Sequence, residues 1–187
     1  LWKRFGRGKF AKCDVSKEED VKSLISGTVD EFGRLDILVN NAGRNWVKGT
    51  LEMTMADWDE MMDVDLRGTF MCCRYALEPM LKQGSGNIIN IATVHTAACI
   101  PGAAPYDAAK WGMIGLTKSL AIEFASKGIR INAVSPGLIN TQICEDIQAA
   151  APNLDACHRY WRTQIPIGRV GEPEEVADIC VFLCTDM

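Results

Sequence analysis

The chain has 187 residues, 48% hydrophobic and 24% charged, which suits one soluble domain spanning 1–187 with a substantial core and excludes a disordered or fibrous segment. A formal charge of −4, a pI near 5.2 and the lack of any dense Lys/Arg run exclude a phosphate-tracking surface, so no nucleic-acid partner is expected. No apolar run reaches the roughly 18 residues of a membrane span, and charges occupy the start where a signal peptide is apolar, so a cytoplasmic protein without a membrane partner is expected.

The first expected element is a short strand at 9–15. Ser16 then caps a helix, with Glu19 completing a capping box, and Val21, Leu24, Ile25, Val29 and Phe32 recur at helical spacing up to a stop at Gly33. LDILVN at 35–40 is apolar without alternation, as in a strand covered on both faces of a parallel sheet. A helix follows over 55–82, broken or bent near Gly68, then a strand NIINIA at 87–92, a helix over 106–127 ended by Gly128, and a strand IRINAV at 129–134. Residues 141–165 leave this rhythm, being polar and alanine-rich, and are expected to form a mobile substrate-covering segment. A last helix starts at Pro173, the favoured first helical position.

Alternating strands and helices predict an α/β fold, a doubly wound, Rossmann-type parallel sheet in three αβα layers. The eight cysteines form no CxxC pair and no Cys/His set with zinc spacing, so reduced thiols and no metal are expected. The chain starts with Leu1 and stops at Met187 directly after an apolar helical pattern, which reads as a chain cut at both ends.

Tyr106 and Lys110 stand four residues apart in a predicted helix and so share a face. A phenol, with its pKa near 10, is a poor base at neutral pH, but a nearby ammonium stabilises the phenolate. In isolation the same spacing equally describes a packed aromatic beside a solvated lysine. Thr93 lies at the end of the NIINIA strand, where open α/β sheets bind ligands, and its hydroxyl can donate to a substrate oxygen as charge develops there. LDILVN runs into NNAG at 40–43, and IRINAV runs into SPGLINT at 135–141, so three strand ends carry polar, Gly-containing loops at one edge of one sheet.

These motifs, with CDV at 13–15, YDAAK at 106–110 and GRVGEPEEVA at 168–177, resemble the classical short-chain dehydrogenase/reductase (SDR) family from about Lys9 onward. IPGAAPYDAAK is similar to sugar 1-dehydrogenases within that family. The resemblance implies an oxidoreductase that moves a hydride between NAD or NADP and a secondary alcohol, carbonyl or sugar hydroxyl. It implies Tyr106 as acid/base, Lys110 on the nicotinamide ribose and lowering the tyrosine pKa, and Thr93 orienting the substrate oxygen. It further implies Asp14 and Val15 at the adenine, Asn40, Ala42 and Gly43 on the adenosine side, and Pro136, Gly137, Ile139 and Thr141 at the nicotinamide end.

The chain departs from the family pattern at three places. Thr93 stands where Ser is usual, keeping the hydroxyl and adding a stiff β-branch. Asp65 stands where the family has an Asn that supports a proton relay to the lysine; a carboxylate close to Lys110 would hold its proton more tightly, whereas an Asp65 acting only through its backbone would simply bend the helix. No GxxxGxG phosphate loop occurs, so the first βαβ unit and the last strand of the fold are expected to be missing and the chain as given is expected to bind cofactor poorly.

The expected pocket lining is polar: Arg44, Asn45 and Trp46 follow the NNAG loop, His95 follows Thr93, and Asn140 and Gln142 flank Thr141. Of these, Trp46, His95 and Asn140 are the substrate candidates. An aromatic face with hydrogen-bonding neighbours suits a sugar or polyol. Asp146, Asn153, Asp155 and Arg159 make the covering segment ill suited to a steroid or lipid. Related proteins pair the helices holding Asp65 and Tyr106 across a two-fold axis, so a homodimer or homotetramer is implied, although Met71, Leu77, Met113, Leu116 and Leu120 can also be explained by packing on their own sheet. The alternative is a truncated or non-catalytic subunit acting through that oligomerisation face.

Overall fold

Apolar, β-branched runs become three strands, β1 (Ile37–Asn40), β2 (Gly86–Ile91) and β3 (Ile129–Val134), in a computed structural model that describes residues 8–151 and 153–185. The readings made at Leu1 and Met187 lie outside those residues. The strands are parallel in the order β1-β2-β3, with Asn40 opposite Asn90 and Ile91 opposite Val134. Their carboxyl ends therefore open on one edge, the edge where a parallel sheet binds ligands.

The side-chain period of two decides which helix each strand residue meets. Ile88, Ile129 and Ile131 point to one face, where they join Cys73, Leu77 and Met80 of α3 (Thr69–Gln83), Leu120 and Phe124 of α4 (Ala104–Phe124), and Ile25 of α1 (Glu18–Phe32). Asn87 and Arg130 point to the other, donating to the carbonyls of Leu183 and Thr185 at the end of α7 (Pro173–Cys184) and just beyond it, at 2.6 and 3.1 Å. This is the three-layer α/β arrangement. On the α7 side β1 is uncovered among the described residues: Ile37 and Val39 are 45% and 44% exposed, so the expected two-sided burial of 35–40 holds on one side only. No helix among the described residues is long and apolar enough to cross a membrane.

A buried polar chain ties sheet to helix. Asn40 Nδ2 donates to Asn90 Oδ1 at 2.8 Å, Asn90 Nδ2 to Thr117 Oγ1 at 2.8 Å, and Thr117 Oγ1 to the Met113 carbonyl at 2.7 Å. Each amide left unpaired there would cost about 1–3 kcal/mol, so the network fixes the register of β1 on β2 and the position of α4 over both.

Several sequence expectations are corrected. Residues 9–15 form no strand, because among the described residues no neighbour offers them a ladder. Ser16 does not cap α1: its hydroxyl donates to Asp14 Oδ1 at 2.7 Å, the N-cap position falls to Lys17, and Glu19 pairs with Lys22. The long helix over 55–82 is three pieces, α2 (Met55–Met62), a wide turn of π-type hydrogen bonding over Asp63–Gly68, and α3. Thr54, unremarked in the sequence, caps α2 in a capping box with Asp57. The stretch at 141–165, expected as a mobile substrate-covering segment, contains two helices, α5 (Gln142–Ala150) and α6 (Leu154–Gln164), and their presence neither supports nor opposes that role. Of the residues considered for an assembly face, Met71, Leu77, Met113 and Leu120 are buried in this chain's own core, whereas Phe70, Trp111 and Ile122 on the same helices are exposed.

Gly33 and Gly128 both stop a helix at positive φ, 78° and 79°, but only Gly128 is crowded: a Cβ there would run into the backbone oxygen of Gly84. Gly33→Ala should cost roughly 1–2 kcal/mol, the penalty of a left-handed alanine. Gly128→Ala should cost more than about 3 kcal/mol, because strain and a backbone clash add. Urea unfolding of the two variants tests this; equal midpoints would contradict the packing described.

Candidate active site

The site is assembled at the carboxyl ends of β1 and β2 by one helix laid across them. The first two turns of α4 carry Tyr106, half-buried, and Lys110, 5% exposed. An ammonium leaves water only when it finds acceptors. Lys110 Nζ donates to the Ile91 carbonyl at the end of β2 at 2.9 Å and lies 3.8 Å from Asp65 Oδ2. It is also 5.7 Å from the centre of the Tyr106 ring.

Asp65 is fully buried in the π-type turn, the kind of local widening that recurs at functional sites. Its Oδ1 accepts the Arg44 backbone N–H at 2.8 Å, and its Oδ2 has no hydrogen-bond partner. Its backbone carbonyl meanwhile accepts from Thr69 Oγ1 at 3.0 Å, so side chain and main chain both take part in shaping this segment. Gly43 lies against the pair: a Cβ on it would come within 3.3 Å of Asp65 Oδ1 and 3.4 Å of Lys110 Nζ. The NNAG loop is thus glycine where the backbone passes closest to the two charges.

Burial pushes the Asp65 carboxyl up, with Lys110 and the Arg44 amide pulling it back; burial likewise pushes Lys110 down, with Asp65 opposing. In each group burial is the larger effect and the partner's charge the opposing one. Tyr106 is pushed up, first by burial and then by the charges of Asp65 and Asp107, while the Thr93 hydroxyl acts the other way. Burial, the largest effect on Tyr106, runs against the depression expected from Lys110, and the Asp65 and Asp107 charges add to it.

Thr93 is buried at the start of the turn Val94–Thr96, its Oγ1 accepts the His95 backbone N–H at 3.3 Å, and its hydroxyl faces the Tyr106 phenol. Val94 N–H donates to the Pro136 carbonyl at 3.0 Å, which holds the loop after β3 beside Thr93. His95 Nδ1 is 2.9 Å from Asp107 Oδ1, and its ring meets Tyr106 edge to face. Lys48 N–H donates to the Gly102 carbonyl at 3.0 Å, so the loop carrying half-buried Trp46 packs on the segment that leads into Tyr106.

Other predicted residues sit differently. The Asn40 amide is turned inward to Asn90, leaving its backbone for any ligand. Asp14 is exposed, and its carboxyl lies below the usual range because it accepts from Ser16. Val15, Ala42 and Asn40 line a small crevice with Val64, Gly68 and Cys72. Gly137 and Thr141 are exposed, while Ile139 pairs with Gly171, and the Asn140 side chain reaches Glu172 at 3.3 Å. Asn140 thereby joins a cavity of about 390 Å³ with Cys144, Gln148, His158, Trp161 and Arg162, set between α5, α6 and the 168–172 loop.

Sequence reasoning missed Asp107, Asn90 and Thr117. An asparagine inside a run expected to be buried was the available signal, since such a group requires a partner. Among the described residues no cluster of His, Cys, Asp or Glu is arranged to hold a metal.

The profile of the family described as enoyl-(acyl carrier protein) reductase matches residues 1–187. The 3-oxoacyl-[acyl-carrier-protein] reductase of Synechocystis sp. is 42% identical over 181 residues, covering 97% of this chain and 70% of that protein. The L-fucose dehydrogenase of Oryctolagus cuniculus is 42% identical over 178 residues, covering 95% of this chain, which spans 62% of that enzyme. Among solved structures, ElxO with NADP bound superposes with a TM-score of 0.87 at 36% identity, covering 95% of this chain and 71% of that one. On the profile, the identities and the parallel sheet together, the chain belongs to the short-chain dehydrogenase/reductase family.

Proposed function

We infer that the chain is the catalytic part of an NAD(P)-dependent oxidoreductase acting on a secondary alcohol, a carbonyl or a sugar hydroxyl, with Tyr106 as acid/base. The observation that carries the reading is the convergence of Lys110, Tyr106 and Thr93 on the end of β2, with Lys110 buried and held on the Ile91 carbonyl at 2.9 Å. A buried lysine is costly to keep, and structure alone gives no reason to place one beside a phenol.

The residues present fit the nicotinamide half of a dinucleotide. Lys110 donates one hydrogen to Ile91, which leaves donors for a ribose, and Gly43 keeps the approach to the ammonium clear of a side chain. Lys110, Tyr106, Pro136, Gly137, Ile139 and Thr141 would hold that end; Asp14, Val15, Ala42, Gly43 and the Asn40 backbone would hold the adenosine end. ElxO, a relative in fold and sequence, is a structure with NADP bound. When bound, the nicotinamide supplies the acceptor or donor of a hydride. Within this chain, Thr93 donates to the substrate oxygen, and Tyr106 removes the hydroxyl proton in oxidation or returns it in reduction. Lys110 steadies the phenolate, and Asp65 opposes that effect, which sets the working pH of the site higher than an amide at the same position would.

The two relatives named act on a 3-oxoacyl-[acyl-carrier-protein] and on L-fucose. Asn140, Gln148 and Arg162 on the wall of the cavity beside α5 and α6 offer hydrogen bonds that support the sugar-like end of that range, with these two helices covering the substrate. Exposed Phe70, Trp111 and Ile122 support pairing with a second copy as a homodimer or homotetramer. A second reading, a non-catalytic subunit, is favoured by one observation, the Asp65 carboxylate 3.8 Å from the Lys110 ammonium.

Two measurements separate these readings. In the protein at its full natural length, NADH or NADPH fluorescence should report cofactor binding that Tyr106→Phe preserves, while turnover of alcohols and sugars falls by about 10²–10⁴; full turnover in the variant would remove Tyr106 from the chemistry. Asp65→Asn removes a negative charge that raises Tyr106, so the phenol pKa should fall and the rising limb of the pH profile for oxidation should move to lower pH. Oxidation at neutral pH should then rise several-fold, and an unmoved limb would show that the carboxylate does not act on Tyr106.

A further inference from the structure

Beside the Thr93, Tyr106 and Lys110 group stands a second titratable cluster that the proposed chemistry leaves unused. His95 sits in the turn directly after Thr93, with its side chain 18% exposed, and Asp107 follows Tyr106 on α4, with its side chain 9% exposed. His95 Nδ1 and Asp107 Oδ1 are 2.9 Å apart, and the His95 and Tyr106 rings meet at 90° with centroids 5.6 Å apart. Among the described residues no Lys or Arg pairs with Asp107, so the imidazole is its counterpart.

The chemistry of the contact fixes the imidazole. A carboxylate oxygen only accepts, so Nδ1 must carry the proton in the contact. In the neutral ring that leaves Nε2 as a bare acceptor, because the hydrogen bond at one nitrogen sets the state of the other. Nε2 has no hydrogen-bond partner among the described residues and is not sealed from solvent. The same turn holds Thr93 through the His95 backbone N–H, so the hydroxyl that donates to one substrate oxygen and the nitrogen that can accept from another are carried by neighbouring residues.

The geometry points to a substrate-reading dyad: His95 Nε2 accepts a hydrogen bond from a hydroxyl on the carbon next to the reacting one, and Asp107 is the positioning residue that keeps Nε2 free to accept. The substrate class is then a vicinal diol, as in a polyol or sugar, in preference to a simple secondary alcohol. This rests on the reading of Tyr106 as the acid/base, since the dyad is placed by its contact with that ring. The acceptor disfavours a substrate whose neighbouring carbon bears no donor, because the site then buries an acceptor without a partner.

The test uses the protein at its full natural length and compares NAD(P)-linked oxidation of a vicinal cyclohexanediol with that of cyclohexanol. The wild type should favour the diol by about tenfold or more in kcat/KM. His95→Phe, which keeps an aromatic ring against Tyr106, should abolish the preference. Asp107→Ala should reduce it strongly, with Asp107→Asn restoring most of it because the amide oxygen still accepts from Nδ1–H. Nitrogen-15 spectra of His95 should show Nδ1 protonated in the wild type and the proton moved to Nε2 in Asp107→Ala, a change that a merely structural Asp107 would not produce. Turnover of both alcohols without a diol preference, or an unchanged tautomer in Asp107→Ala, would overturn the dyad while leaving the oxidoreductase reading intact. Cofactor binding with no oxidation of any alcohol or sugar would overturn the oxidoreductase reading and the dyad with it.

Discussion

The burial of one ammonium group organises this protein's site. Lys110 reaches from α4 to the Ile91 carbonyl and leaves water with Asp65 as its counter-charge, 3.8 Å away. A lone charge in such a place would cost several kcal/mol, so three segments must arrive together: the end of β2, the π-type turn that presents Asp65, and the NNAG loop whose glycine closes over both. Tyr106, one turn earlier on the same helix, is placed as a consequence. Its phenol is raised first by burial, and the Asp65 carboxylate adds to that.

The buried chain from Asn40 through Asn90 to Thr117 plays a complementary part. Apolar packing alone leaves α4 free to slide by small amounts over a uniform surface of isoleucines, because the hydrophobic effect is non-directional. Directed hydrogen bonds to a single asparagine in β2 remove that freedom. Since Lys110 and Thr117 belong to one helix, fixing Thr117 over the sheet also fixes how far Lys110 extends past its edge. The register of the sheet and the geometry of the site are in this sense one constraint.

Much of this was legible in the residues. The runs at 87–92 and 129–134 locate the strands within one residue of the observed bounds, and Gly33 and Gly128 mark helix ends because only glycine takes a positive φ without strain. Tyr106 and Lys110 at a spacing of four could be assigned to one face, and Thr93 could be placed at a strand end, since those are properties of local periodicity. Residues 9–15 show the limit: a short extended stretch becomes a strand only when another strand lies beside it. Residues 141–165 show another, for their amphipathic pattern in two short helices is too brief and too polar to stand out from a loop.

By itself, the sequence determined the three parallel strands and the helices between them, the edge of the sheet at which the polar loops collect, and the identity of the groups able to move a proton, because each follows from periodicity or from a motif within a few residues. Only the tertiary structure decided that Asn40 turns inward to Asn90, that Asp65 comes to Lys110 and raises Tyr106, and that Asp107 takes hold of His95. Those pairs are separated by 50, 45 and 12 positions in the chain. Their energies depend on distance and on exclusion of water, and neither exists until the sheet and α4 have packed.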